Sequence, residues 1–173
     1  LFEELGITSG DLIFREGVTL ISDIVRGFEE DNHTPFSHVG IVIYEEEEWR
    51  VLHAAPSESP DTPSGVMIDP LAYFLAPERS AHFALYRISS SITERQAALN
   101  HAYQRLGEPF HYKEEEGTYC TSLIDDAWKA IGHNLTFTFT PITLPLFEGE
   151  YLFPSHMVKS PHLIKLYSTY DTP

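Results

Sequence analysis

Cysteine is nearly missing from this chain: Cys120 is the single one in 173 residues. With no second thiol, an intramolecular disulfide framework and every CxxC redox or metal motif are excluded. Positive charge is scarce too, with 11 Lys+Arg against 26 Asp+Glu and a formal charge of −15. Such a surface repels phosphate backbones and anionic bilayers, so no nucleic acid is expected as a partner. No apolar run approaches the roughly 20 residues that span a bilayer, and the chain as given carries no transmembrane segment. No HExxH or comparable short ligand motif occurs, and neither a metal nor another cofactor is expected.

What is present is ordinary for a folded protein. The hydrophobic fraction is 42% and the aromatic fraction 13%, with 12 prolines and 10 glycines scattered between apolar runs. The length suits one domain over residues 1–173. Two acidic runs, Glu45 to Glu48 and Glu114 to Glu116, read as solvated loop charge. Asn32-His33-Thr34 and Asn134-Leu135-Thr136 match the glycosylation pattern, which chance produces often. The first residue is Leu1, so the chain was trimmed or an N-terminal signal or lipobox segment was removed.

Asp11-Leu12-Ile13-Phe14 reads as a short strand, and Thr19 to Phe28 carries Leu20, Ile21, Ile24, Val25 and Phe28 at helical spacing. After a polar loop, His38-Val39-Gly40-Ile41-Val42-Ile43-Tyr44 has the β-branched character of a buried central strand. The acidic tip turns it into an antiparallel partner, Trp49 to Ala54, which brings His38 and His53 near one end of a hairpin. Gly65 to Asp69 and His82 to Ile88 supply two more strands. Thr93 to Leu106 is predicted as a helix with Thr93 as its N-cap. A second helix starts at Tyr119 or Cys120 and runs to Ile131, with apolar positions at spacings of three and four. Residues 134–153 show no period and are expected to cover one edge of the site. Leu163 to Tyr167 is the last strand of an α+β fold.

A lone thiol is more often a small buried hydrophobe than a nucleophile. Cys120 differs in its placement: Gly117-Thr118-Tyr119 leads into an amphipathic helix, leaving the sulfur at the helix mouth and the Cys120 N–H available as an oxyanion donor. A helix N-terminus and a nearby imidazole are expected to lower the pKa of its thiol. The base must come from elsewhere in the chain. Among nine histidines, His33, His101, His133, His156 and His162 fall in loops or on exposed helix faces. His38 opens the most apolar strand, and His53 on the paired strand is placed to orient it as the third member of a triad does. Taken alone, these residues also allow a core histidine.

These blocks carry a resemblance: Gly10-Asp11-Leu12-Ile13-Phe14, Ser37-His38-Val39-Gly40-Ile41-Val42, Val51-Leu52-His53-Ala54, Leu106-Gly107-Glu108-Pro109-Phe110 and Tyr119-Cys120-Thr121-Ser122-Leu123-Ile124. In this order they resemble the permuted branch of the NlpC superfamily of papain-like cysteine hydrolases, the YiiX-like proteins, which are similar to lecithin retinol acyltransferase. The resemblance covers residues 10 to about 131 and rests on the order of the blocks, with the histidine strand preceding the cysteine helix. It implies a permuted papain-like fold in which a central antiparallel sheet packs against helices. It further implies that Cys120 attacks, His38 acts as base and later as acid, and His53 orients His38. The third position is often Glu in YiiX-like proteins, and Thr121-Ser122 stands where Ser-Glu is common. An aromatic hydroxyl that assists the oxyanion in such enzymes falls near Phe110, which cannot donate. Tyr112 and Tyr119 are the expected substitutes, with Ser37 lining the substrate.

The expected activity is hydrolysis of an amide through an acyl-cysteine, on a small peptide, a peptidoglycan stem-peptide fragment or a lipid N-acyl amide. Competing expectations are an acyltransferase using the same acyl-cysteine, a catalytically idle binding module, and a metallohydrolase, for which His38 and His53 lack an obvious third ligand. The resemblance and the first residue together point to the cell envelope or periplasm.

Overall fold

The computed structural model describes residues 1–18, 35–57, 60–113, 116–145 and 147–171. The helix expected over Thr19 to Phe28, most of the polar loop that follows it, the Asn32-His33-Thr34 motif and Glu114 lie outside the described residues.

Six strands form one antiparallel sheet: β1 (Leu12–Gly17), β2 (His38–Glu45), β3 (Glu48–Ala55), β4 (Gly65–Pro70), β5 (Ser80–Ile88) and β8 (Leu163–Ser168), in the order β4-β3-β2-β1-β5-β8. β2 lies inside the sheet and is buried without a break from His38 to Ile43. Its alternation serves two cores. Val39, Ile41 and Ile43 pack with Leu12 and Phe14 on one face, while Val42, Ile13, Val51 and Leu85 pack on the other with Phe2, Ile7 and Phe74. A strand buried on both faces reads as a continuous apolar run, which is why this segment is legible in sequence.

Two helices cover the first face. α2 (Ile92–Tyr103) contributes Ala98, Leu99 and Ala102, and α3 (Cys120–Ala130) contributes Leu123, Ile124, Ala127 and Trp128. The cap of α2 lies two residues before the expected one: Ser91, not Thr93, accepts the Glu94 N–H, and the Glu94 carboxylate accepts the Ser91 N–H. This reciprocal pair satisfies two of the donors that a helix start leaves open. The helix ends at Tyr103, short of Leu106, and a turn leads to Gly107, whose φ of +85° suits glycine. The second face is covered by the N-terminal segment and by one turn of helix, α1 (Leu71–Phe74).

The Gly10-Asp11 block is structural. Asp11 is fully buried, and its two oxygens accept from Arg87 Nε at 2.7 Å and Nη2 at 2.6 Å. This paired geometry ties the start of β1 to β5. Residues 134–153, read as irregular, contain a short hairpin, β6 (Thr140–Ile142) with β7 (Gly149–Tyr151), before a last helical turn, α4 (Pro154–Met157).

Candidate active site

Strand register places the histidines. Ile41 pairs with Leu52, so one step further sets Gly40 across from His53 and makes His38 its diagonal neighbour on the same face. The glycine supplies the room: a Cβ at Gly40 would lie 2.3 Å from Val51 Cγ1 and 3.2 Å from His53 Cβ. His38 Nε2 lies 2.7 Å from His53 Nδ1. The pattern repeats one strand on, where His53 pairs with Met67 and Asp69 is the diagonal neighbour. His53 Nε2 lies 2.9 Å from Asp69 Oδ2. On the other side, Arg15 of β1 pairs directly with His38. Arg15, His38, His53 and Asp69 thus form one row across four strands.

Phe74 covers that row. Its ring centroid lies 5.6 Å from that of His38 and 5.2 Å from that of His53, and the Arg15 guanidinium carbon sits 4.4 Å from it. Arg15 Nη1 donates to the Phe74 carbonyl at 2.8 Å. The two imidazoles are buried, 8% and 3% exposed. Burial pushes the His38 pKa well below its usual value, the positive charge of Arg15 pushes the same way, and a proton taken up by the adjoining His53 would add to the effect. His38 is therefore neutral near pH 7.

Cys120 arrives from the other direction, as the first residue of α3. The approach is fixed by the loop after Gly107. The Gly107 N–H donates to the Val66 carbonyl and the Val66 N–H to that of Glu108, each at 2.9 Å, while the Thr118 N–H reaches the Pro109 carbonyl at 2.9 Å. Gly117 permits that closure, since a Cβ there would lie 2.5 Å from the Pro109 carbonyl oxygen. The Ser122 hydroxyl accepts the Tyr119 N–H at 3.0 Å and holds the helix mouth. Backbone N–H groups of Val39, Thr121 and Cys120 converge on the sulfur.

The thiol is not acidic at rest, contrary to the sequence expectation. Burial prevails over those three donors and over Arg15, and pushes Cys120 up to about 11. Removing the sulfur from water costs the charged form more than the helix mouth returns.

Cys120 and His38 line one cleft, which encloses about 470 Å³ with its open mouth included. All three residues expected around them line it as well: Ser37, Tyr112 and Tyr119. The Ser37 oxygen also accepts the Gly17 N–H at 2.9 Å. Tyr112 stands edge-on to Phe110 with ring centroids 5.0 Å apart. Burial raises its phenol pKa, and charge on Cys120 raises it further, so it keeps its proton. The end of β7 and the stretch after it supply further wall through Tyr151, Leu152 and Phe153. His101, His133, His156 and His162 do not line the cleft. Arg15 and Asp69 are the members of the row that sequence reasoning missed; their signals, a cation facing His38 and a carboxylate two residues beyond the position facing His53, need the β1–β2 and β3–β4 registers to be seen.

The histidine strand, followed after eighty residues by a cysteine helix packed on the same sheet, is the papain-like arrangement in permuted order. The sequence matches, over residues 6–167, the family described as permuted papain-like amidase enzyme, YaeF/YiiX, C92 family. The chain belongs to that family. Its structure is similar to the crystal structure of the metalloprotein yiiX from Escherichia coli O157:H7. The two share a TM-score of 0.71 and 17% identity, over 91% of this chain and 95% of that one. No curated protein matches the chain significantly in sequence. Membership of the C92 family makes the chain a relative of cysteine-type amidases and peptidases, and its fold the permuted papain-like α+β fold.

Proposed function

We propose that this chain hydrolyses an amide bond through an acyl-cysteine on Cys120, with His38 as base and then acid and His53 holding His38 in place. The observation that carries the reading is the shared cleft: the one thiol of the chain and a neutral, hydrogen-bonded imidazole line the same space. Because both groups are neutral at rest, His38 removes the thiol proton as the sulfur attacks the carbonyl carbon, rather than before. The resulting oxyanion is met by the Cys120 N–H at the mouth of α3 and by the Tyr112 hydroxyl. His38 returns the proton to the leaving amine as the C–N bond breaks. Water, activated by His38, then cleaves the thioester and frees the acid and the thiol.

The cleft wall is built from Pro56, Phe110, Tyr151, Leu152, Phe153 and Pro154 beside the two tyrosines. Among the described residues, no Lys, Arg, Asp or Glu lines it. This favours an apolar acyl group next to the scissile amide over a charged peptide, and so a lipid N-acyl amide over a peptidoglycan stem peptide. The structurally similar yiiX is described as a metalloprotein. The row of residues here does not suit a resident ion: among the described residues no three His, Cys, Asp or Glu are grouped to hold one. The two imidazole nitrogens face each other at 2.7 Å with a proton between them.

The test is a panel of N-acyl anilides and short peptide amides, with intact-protein mass spectrometry after rapid acid quench. Amine release with transient acylation of the wild type, absent in Cys120→Ala and cut roughly 10²-fold or more in His38→Ala, is the expected result. Amine release that survives Cys120→Ala overturns the reading. Acyl transfer to an added amine or alcohol in preference to water reassigns the chain as an acyltransferase.

A further inference from the structure

We infer that Asp69 is a positioning residue that locks the tautomers of both histidines, so that His38 keeps Nδ1 bare as its free base nitrogen. The inference deepens the proposed function and rests on its assignment of Cys120 and His38, but its chemistry is readable without turnover.

The argument runs along the row of hydrogen bonds. A carboxylate can only accept, so the 2.9 Å contact between Asp69 Oδ2 and His53 Nε2 requires the proton on Nε2. With His53 neutral, its single ring proton is the one on Nε2, which leaves His53 Nδ1 as a lone pair. That lone pair faces His38 Nε2 at 2.7 Å, so His38 in turn must carry its proton on Nε2. His38 Nδ1 is then the ring nitrogen left to accept a proton. Without Asp69 the pair has two arrangements, and in the other one His53 Nδ1–H donates to the His38 Nε2 lone pair while His38 keeps its own proton on Nδ1. That arrangement cannot act as base.

The placement suits this task. Asp69 lies outside the catalytic cleft and borders a second one, about 350 Å³ with its mouth included, together with His53, Arg15, Tyr73 and Arg79. It reaches the reaction only through His53. The diagonal register that sets His38 beside His53 also sets His53 beside Asp69, so three adjacent strands fix the proton order as rigidly as the sheet itself.

The experiment is long-range ¹⁵N–¹H correlation of the histidine rings in the full-length labelled chain near pH 7.5, in wild type and Asp69→Ala, with Cys120 alkylation by iodoacetamide followed in parallel. Wild type should show His38 and His53 both protonated on Nε2. Asp69→Ala should mix the tautomers at both rings and slow alkylation roughly 10–100-fold, as loss of an outer partner of a functional histidine does. A wild type with either ring protonated on Nδ1 overturns the inference, and that reading stands even where the variant does not fold. So does an Asp69→Ala protein whose ring nitrogens and alkylation rate are unchanged. Correct tautomers in a chain that releases no amine from any amide would remove the hydrolase reading and keep the lock.

Discussion

At the scale of single residues, the site keeps an acid and a base uncharged side by side. His38 must be neutral to take the thiol proton, and burial with Arg15 beside it keeps it neutral to pH values well below 6.5. The acid limb of kcat/KM should therefore fall well below pH 6.5, and its position is read directly from a pH–rate profile. A limb at 6.5 or above would show that His38 titrates as an ordinary exposed imidazole. Arg15→Gln should move the limb upward, because it removes a cation that opposes protonation of His38.

Elements fix how closely the two rings meet. Gly40 is the position where two strands carry the relay past each other, and the cost of filling it belongs to the hairpin rather than to one side chain. Gly40→Ala should destabilise the protein by about 1–3 kcal/mol, the usual cost of overpacking, as measured by the denaturant midpoint. Cys120 alkylation should slow by more than that loss explains, since the added carbon forces Val51 Cγ1 aside and also presses on His53 Cβ. A variant with unaltered stability and reactivity would contradict the register.

The β2–β3 hairpin and α3 were legible because each satisfies one period throughout: an apolar run flanked by an acidic turn, and Leu123, Ile124, Ala127 and Trp128 on one helix face. His38, His53 and Cys120 were singled out by residue type and order, Tyr112 and Tyr119 as hydroxyls to stand in for Phe110, and Ser37 as the neighbour of His38. Asp69 was not found, because the loop from Ala55 to Ser64 hides the register that carries it to His53. The start of α2 was missed by two residues, since Ser91 and Thr93 are both competent caps and only the reach of Glu94 decides between them. The β6–β7 hairpin has three-residue strands, too short for alternation to register against its Thr, Pro and Phe background.

Across the whole molecule, the buried thiol and imidazole tie stability to pH from both sides. Unfolding exposes His38 to its ordinary pKa near 6.5, so the unfolded chain takes up a proton below that pH while the folded chain does not, and stability falls as pH falls. Unfolding likewise returns Cys120 to its ordinary value of 9.0 from about 11, so stability is lost as pH rises between those values. Denaturant midpoints followed from pH 4 to 11 should show both declines. The alkaline one should shrink in Cys120→Ala, the raised phenols of Tyr86, Tyr103 and Tyr112 supplying the remainder, and the acidic one should shrink in His38→Gln. The charge of −15 adds a repulsion of its own, which both variants share with the wild type and which cancels in the comparison.

The protonated resting thiol has a consequence for how the protein ages. Peroxide attacks the thiolate, and sulfenic, sulfinic and sulfonic acids form in proportion to the fraction of sulfur that is ionised. With its thiol held up to about 11, Cys120 is almost wholly un-ionised near neutral pH and outlasts oxidants that consume surface thiols. The chain has no other cysteine to form a protective disulfide or to resolve a sulfenic acid. Shelter from oxidation thus comes from the same burial that delays ionisation until a substrate carbonyl is in place.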